Sequence, residues 1–181
     1  ADALRQNSKY DDAVEQYEKY KKFVSSDERA EKGIKSCQLA KKWTDNPTPY
    51  KVVNVVYLNS ENSDYAPVFA DSLGQSIIFT SSREGATGDR QHGATGQPFS
   101  DLYTSRIDQT GRWSTPTALD FNINTPNEEG AACFNADFST LIFTRCSFSE
   151  RKESTCEVYV SPRLEDSWDK PDHFKVSDFK K

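Results

Sequence analysis

The chain has 181 residues, enough for one ordinary domain or two small ones. Its composition, 35% hydrophobic, 28% charged and 12% aromatic, fits a folded chain with an aromatic-rich core, and no apolar run approaches the roughly 20 residues of a membrane-spanning helix. The net charge of −5 is uneven, with 11 Lys+Arg against 9 Asp+Glu over residues 1–51 and a net −7 beyond, and an acidic surface without basic blocks argues against nucleic acid as a partner.

The chain opens at ADALRQNSKY, holds no Met and shows no signal peptide, so it reads as a processed or excised piece of something longer. From Ala3 to about Trp43 the apolar spacing is helical. In KYDDAVEQYEKYKKFV, the residues Tyr10, Ala13, Val14, Tyr17, Tyr20 and Val24 recur three or four apart, which predicts one buried helix face. The polar break SSDE follows, where Ser26 or Asp27 can cap the next helix by accepting backbone N–H bonds. In ERAEKGIKSCQLAKKW, the residues Ala30, Ile34, Cys37 and Ala40 or Lys41 repeat the spacing, so residues 1–46 are expected to form a helical hairpin. Tyr10, Ala13, Tyr17 and Tyr20 resemble the second helix of a tetratricopeptide repeat, which implies that Ala13 marks a close helix contact and Tyr17 fills the next gap. Most of that repeat's first helix would lie before Ala1, and SSDE stands in place of its usual loop proline.

Pro47 and Pro49 end the helical pattern, since proline lacks the N–H and disfavours helix in the residue before it. Residues 47–62, with the run VVNVVYL, are expected to be a linker and entry strand. Short β-branched and aromatic runs divided by Gly, Asp, Asn and Pro then predict an all-β region. Two copies of one pattern are visible in it. APVF, SIIFTS, DLYTSRID and GRWSTP form the first, residues 63–126, and AACF, TLIFTRC, CEVYVSP and DSWDKP the second, residues 127–181. Phe69 matches Phe134, Ile78-Phe79-Thr80 matches Ile142-Phe143-Thr144, Tyr103 matches Tyr159, Trp113 matches Trp168 and Pro116 matches Pro171. Four strands per copy predict stacked propeller blades, with apolar inner strands because neighbours cover both faces. The fold class expected is therefore α+β, a helical hairpin followed by about two blades of an incomplete propeller.

DYAPVF at 64–69, IIFTSSR at 77–83 and DLYTSRIDQTGRWSTP at 101–116 resemble the WD-repeat-like blade of the TolB type. A tetratricopeptide hairpin running into such blades is similar to the Bacteroidetes periplasmic proteins that also carry an outer-membrane-protein-A-like domain, among them components of the type IX secretion system. The resemblance implies a non-catalytic scaffold at the outer membrane, a lipoprotein of the periplasm with other proteins of an outer-membrane complex as partners. Peptidoglycan would be held only through the domain this chain lacks. The alternatives are a propeller accessory domain of a peptidase and a glycan-binding protein with Trp113 and Trp168 as stacking platforms.

Cys146 ends the second strand of the second copy and Cys156 begins the third, so antiparallel pairing would set them opposite each other at bonding distance. Cys37 and Cys133 are expected to be small buried apolar residues. With only His92 and His173 as further ligands, the cysteine spacing is poor for zinc, and no metal or cofactor is expected. The longest loop, REGATGDRQHGATGQPFS, lacks the Lys-Ser/Thr of a phosphate loop. It reads as a flexible connection whose Arg83, Asp89, Arg90 and His92 would be partner contacts. SRIDQTGRW at 105–113 misses the spacing of a sialidase Asp box, no Gly-x-Ser-x-Gly elbow occurs, and the acid pairs Asp11-Asp12 and Glu128-Glu129 read as solvated charge. No catalytic residue is singled out, and the chain is expected not to be an enzyme.

Overall fold

The structure, a computed structural model, describes residues 1–149 and 152–174. The chain divides into two compact units, Ala1–Val53 and Asn54–Lys181. The first holds three helices, α1 (Asp2–Gln6), α2 (Tyr10–Phe23) and α3 (Glu28–Asp45). The Asp27 side chain caps α3 by accepting the Arg29 N–H at 2.9 Å. Ala13 and Tyr17 of α2 pack on Ala30, Ile34 and Cys37 of α3, with Leu4, Tyr10 and Val14 at the edge. Gly33 is buried directly beneath the Tyr17 ring, and the Tyr17 hydroxyl donates to Asp2. The small residue lets the aromatic lie flat between the helices. Tyr20 and Val24, expected on the same face, are each 38% exposed, Tyr20 reaching out to donate its hydroxyl to Asp27 and Val24 standing past the end of α2.

The second unit contains two four-stranded antiparallel sheets. The first runs β1 (Asp64–Phe69), β2 (Ser76–Ser81), β3 (Asp101–Arg106), β4 (Thr117–Ala118). The second runs β5 (Glu128–Phe134), β6 (Thr140–Ser149), β7 (Lys152–Pro162), β8 (Asp172–His173). The architecture is α+β, and among the described residues the sheets form an open pair with no closed sheet. The fourth strands do not fall on GRWSTP or DSWDKP. Trp113 and Trp168 make only isolated bridges, to Ile107 and Arg163, and the chain rejoins each sheet after the proline, at Thr117 and Asp172. The proline has no N–H to give a ladder, which moves the pairing downstream.

Nor is VVNVVYL a strand. Val52, Val53, Val56 and Tyr57 are exposed, and Val55–Leu58 forms a turn closed by the Leu58 N–H on the Val55 carbonyl at 2.9 Å. The run is a connector that delivers one side chain, Leu58, onto Ile77, Phe79 and Tyr103.

The two sheets share a register defect. β1 and β5 each shift against their partners, between Tyr65 and Val68 and between Gly130 and Cys133, with Ala66 and Ala131 at φ +51° and +43°. A bulge turns one N–H out of the ladder, and the Ala131 N–H leaves its own sheet to donate to Thr80 Oγ1 of the first sheet at 3.0 Å. The Glu129 N–H bonds the Ser100 carbonyl at 2.8 Å. The sheets are thereby stacked, with Ile78 and Leu102 on one side and Leu141, Phe143 and Trp168 on the other, around Ile123 of the connector. β2 is consequently buried on both faces, which is why SIIFTS lacks polar alternation.

Candidate functional site

Each sheet carries at one end an arginine laid over two aromatic rings and held by a carboxylate. In the first, Arg83 sits 5.2 Å from the Phe79 ring and 4.8 Å from Tyr103, and Asp64 accepts from it at 2.8 Å. In the second, Arg145 sits 5.4 Å from Phe143 and 4.8 Å from Tyr159, and Glu129 accepts from it at 2.7 Å. Each carboxylate is also capped from four residues upstream, Asp64 by the N–H and hydroxyl of Ser60 and Glu129 by those of Thr125. Each arginine fastens the preceding connector through a carbonyl, Leu58 at 2.7 Å and Ile123 at 2.8 Å.

The pKa values of the two carboxylates are shifted in opposite directions. Burial opposes ionisation of Asp64, but donors from Ser60, Ser81 and Arg83 outweigh it and hold the carboxyl below its usual range. Burial dominates at Glu129, which has no exposed surface, and raises its pKa despite Thr125 and Arg145.

Of the four loop residues expected at a contact surface, Arg83 is thus spent internally, its side chain only 17% exposed. Asp89, Arg90 and His92 are exposed, and Arg90 ties the loop to the second sheet by donating from Nη1 to the Phe148 carbonyl at 2.8 Å. Nor is the loop a loose connection. Gln91 pairs with Pro98, the His92 carbonyl receives the Thr95 and Gly96 N–H groups, the Phe99 ring packs at a tilt on Phe148 with centroids 4.8 Å apart, and Ser63 donates to Gln97. The result is a short hairpin presenting Asp89, Arg90 and His92.

The loop's other anchor is Asp101, a residue not singled out from the sequence. It is fully buried, accepts the Thr87 N–H on Oδ2 at 2.7 Å, and leaves Oδ1 buried without a partner among the described residues. Burial pushes its pKa up, opposed by the bond from Thr87. Asn124 was equally unmarked. Its amide accepts from the Leu102 N–H and donates to the Leu102 carbonyl, at 2.9 and 3.0 Å, replacing a missing ladder partner beside β3. The signal for Asn124 lies in the parallel between LNSENSD at 58–64 and INTPNEE at 123–129, a repeat of the connector rather than of the strands.

Cys146 and Cys156 are directly opposed in the ladder and bonded. Cys37 is buried as expected of a small apolar residue, but Cys133 is exposed, because it lies on the face of the second sheet that no other sheet covers. Asp108, the carboxylate nearest an Asp-box spacing, organises its own turn by accepting from the Thr110 and Arg112 N–H groups. Among the described residues no group of three or more His, Cys, Asp or Glu could hold a metal ion. A cleft of about 320 Å³ lies between the sheets where Arg106 and Arg163 face Glu165 and Asp166, a mixture of signs that selects no charged ligand. No helix is long and apolar enough to cross a membrane among the described residues. Comparison with protein-family models, with curated protein sequences and with solved structures finds no match for this chain.

Proposed function

We propose that this chain is a non-catalytic scaffold and protein-interaction module, two blades of a β-propeller of the TolB type preceded by a tetratricopeptide-like hairpin. It works in the periplasm in association with the outer membrane, as a PorE-like component of a type IX secretion system, and any hold on peptidoglycan belongs to a domain beyond this chain. The observation that carries the reading is the internal repeat of a complete unit, with connector, capped carboxylate, bulged first strand and arginine clamp each occurring twice. Such a unit buries its faces only by stacking on others, which is the logic of repeat scaffolds. The groups most like a site are consumed in that stacking, and the hairpin with Asp89, Arg90 and His92 is left as the contact-bearing loop. The Cys146–Cys156 bond suits an oxidising compartment.

The glycan-binding alternative is weakened by Trp168, which is 7% exposed and packed between Phe134 and Arg163. The test is photo-crosslinking in cells from a reporter at position 92, with and without deletion of residues 85–96. Crosslinks to outer-membrane-associated proteins that disappear with the deletion are expected. Recovery of the chain in the cytosol with Cys146 and Cys156 reduced would overturn the assignment.

A further inference from the structure

We propose that the open face of the second sheet is a docking face for a second copy of this chain, received head to tail. The inference goes beyond the scaffold reading and does not rest on it, because it follows from an interface that the chain already contains.

In that interface the second sheet covers the central part of the face of the first sheet that carries Ile78, Thr80 and Leu102. Ile78 is 2% exposed and Thr80 and Leu102 are fully buried. What covers that part is the connector with Ile123, fully buried, and Asn124, 2% exposed, whose amide clamps the backbone of Leu102, followed by β5 and the Leu141 and Phe143 face of β6.

Among the described residues the corresponding face of the second sheet has no such cover. Ladder pairing puts Cys133, Ile142 and Val160 in one row and Thr144 and Val158 in the next, on the face opposite Leu141 and Phe143, while Gly130, at the bulge, turns toward Thr80 of the first sheet. Val158 stands where Leu102 stands in the first sheet, each opposite the threonine of an Ile-Phe-Thr triplet. Leu102 is buried, whereas Val158 is 37% exposed, Ile142 and Thr144 are half-buried and Cys133 is exposed.

At the other end of the unit the chain carries the matching half. The connector before β1 has the same turn as the one between the sheets, with the Leu58 and Asn59 N–H groups on the Val55 carbonyl and the Ile123 and Asn124 N–H groups on the Asp120 carbonyl. Ser60 and Thr125 cap the following carboxylates in the same way, and Arg83 and Arg145 fasten Leu58 and Ile123. Yet Leu58 is only half-buried and Asn59 is exposed, where Ile123 and Asn124 are enclosed. Phe69 is 57% exposed while its counterpart Phe134 is packed against the inter-sheet core.

One molecule therefore presents both halves of an interface whose completed form it holds internally. The halves differ, so two copies cannot pair them symmetrically. Association is heterologous, and each copy added leaves the same two ends free until a ring closes or a filament forms.

The test uses the full chain in sedimentation velocity across micromolar to submillimolar concentrations. Wild type is expected to form species of two or more chains. Val158→Glu spoils the receiving face and Phe69→Glu the inserting face, so each alone is expected to stay a single chain. Their mixture is expected to form a one-to-one dimer that grows no further, because one intact interface remains between the two variants. Dimer formation on mixing also shows that both variants are folded. If circular dichroism shows a variant misfolded, Asn59→Ala replaces it on the inserting side and Cys133→Arg on the receiving side. A wild-type chain that remains single at all concentrations, or a mixture that does not associate, would overturn the proposal.

Discussion

Replacement of Asp101 by Asn is expected to stabilise the protein at neutral pH and to remove part of its pH dependence. Asp101 has no exposed surface, its Oδ2 receives the Thr87 N–H at 2.7 Å, and its Oδ1 has no partner among the described residues. A buried acceptor left without a donor costs about 1–3 kcal/mol, and more when it is charged. Asn keeps the acceptor for Thr87 and exchanges an unpartnered charged oxygen for a neutral amino group, so a net gain of about 1 kcal/mol is expected from that difference. The sign with pH follows from burial, which raises the folded-state pKa of Asp101. The stability this group contributes is present in full below its unfolded pKa, about 3.9, and is lost as the pH rises through the higher folded value. The advantage of Asp101→Asn over wild type should therefore be smallest at acid pH and largest at pH 7 to 8. Urea unfolding of both proteins at a series of pH values measures it. An Asn variant less stable than wild type at neutral pH would refute the reasoning, since it would mean that the carboxylate's charge is compensated.

The remaining expectations concern packing. Gly33→Ala adds about 1 kcal/mol of helix propensity, but its Cβ would fall 2.4–2.7 Å from three Tyr17 ring carbons in a site where the ring is 5% exposed, and overpacking of about 1–3 kcal/mol should win, lowering the melting temperature of the helical signal. Replacing Cys146 and Cys156 together by Ser opens a link spanning a sequence separation of 10 and should cost about 3 kcal/mol by the loop-entropy relation, seen as a lower urea midpoint for the β-sheet signal. Asn124→Ala strips the buried Leu102 N–H of its acceptor and should cost about 1–3 kcal/mol. In dilute solution the exposed Asn59→Ala should change stability by less than about 0.5 kcal/mol, and a comparable loss at both positions in urea unfolding would contradict the assignment of Asn59 to an open end.

The helices and inner strands were legible because their burial follows simple periods. Tyr17, Ala30, Ile34 and Cys37 recur at helical spacing, and the Ile-Phe-Thr triplet of β2 stands in an apolar run covered on both sides. The opposition of Cys146 and Cys156 followed from antiparallel pairing alone. What escaped was set by tertiary partners. VVNVVYL has strand composition, yet its segment is spent placing Leu58. The fourth strands lie beyond the prolines because only two residues of each reach the ladder. Arg83 looked like a surface cation because no local pattern announces that Asp64, 19 residues earlier, receives it. Asp101 and Asn124 were hidden for the same reason, since each serves backbone atoms far away in sequence.

The two arginine clusters bear on what the surface is for. Arg145 lies directly across from Glu129 in the ladder, whereas the position across from Asp64 is Ser81, and Arg83 reaches back from two residues beyond it. Non-equivalent positions thus converge on one arrangement, a cation over Phe and Tyr rings with a carboxylate at its edge and a connector carbonyl at its tip. Residues that read a ligand would have to keep their position relative to it, whereas residues that close the end of a sheet need only reach the same contacts. The clusters behave in the second way. The chain's charged and aromatic groups therefore fall into two sets. Those drawn inward fix each connector to its sheet, while Asp89, Arg90 and His92 on the loop hairpin, together with the open face around Val158, are what the molecule offers to partners.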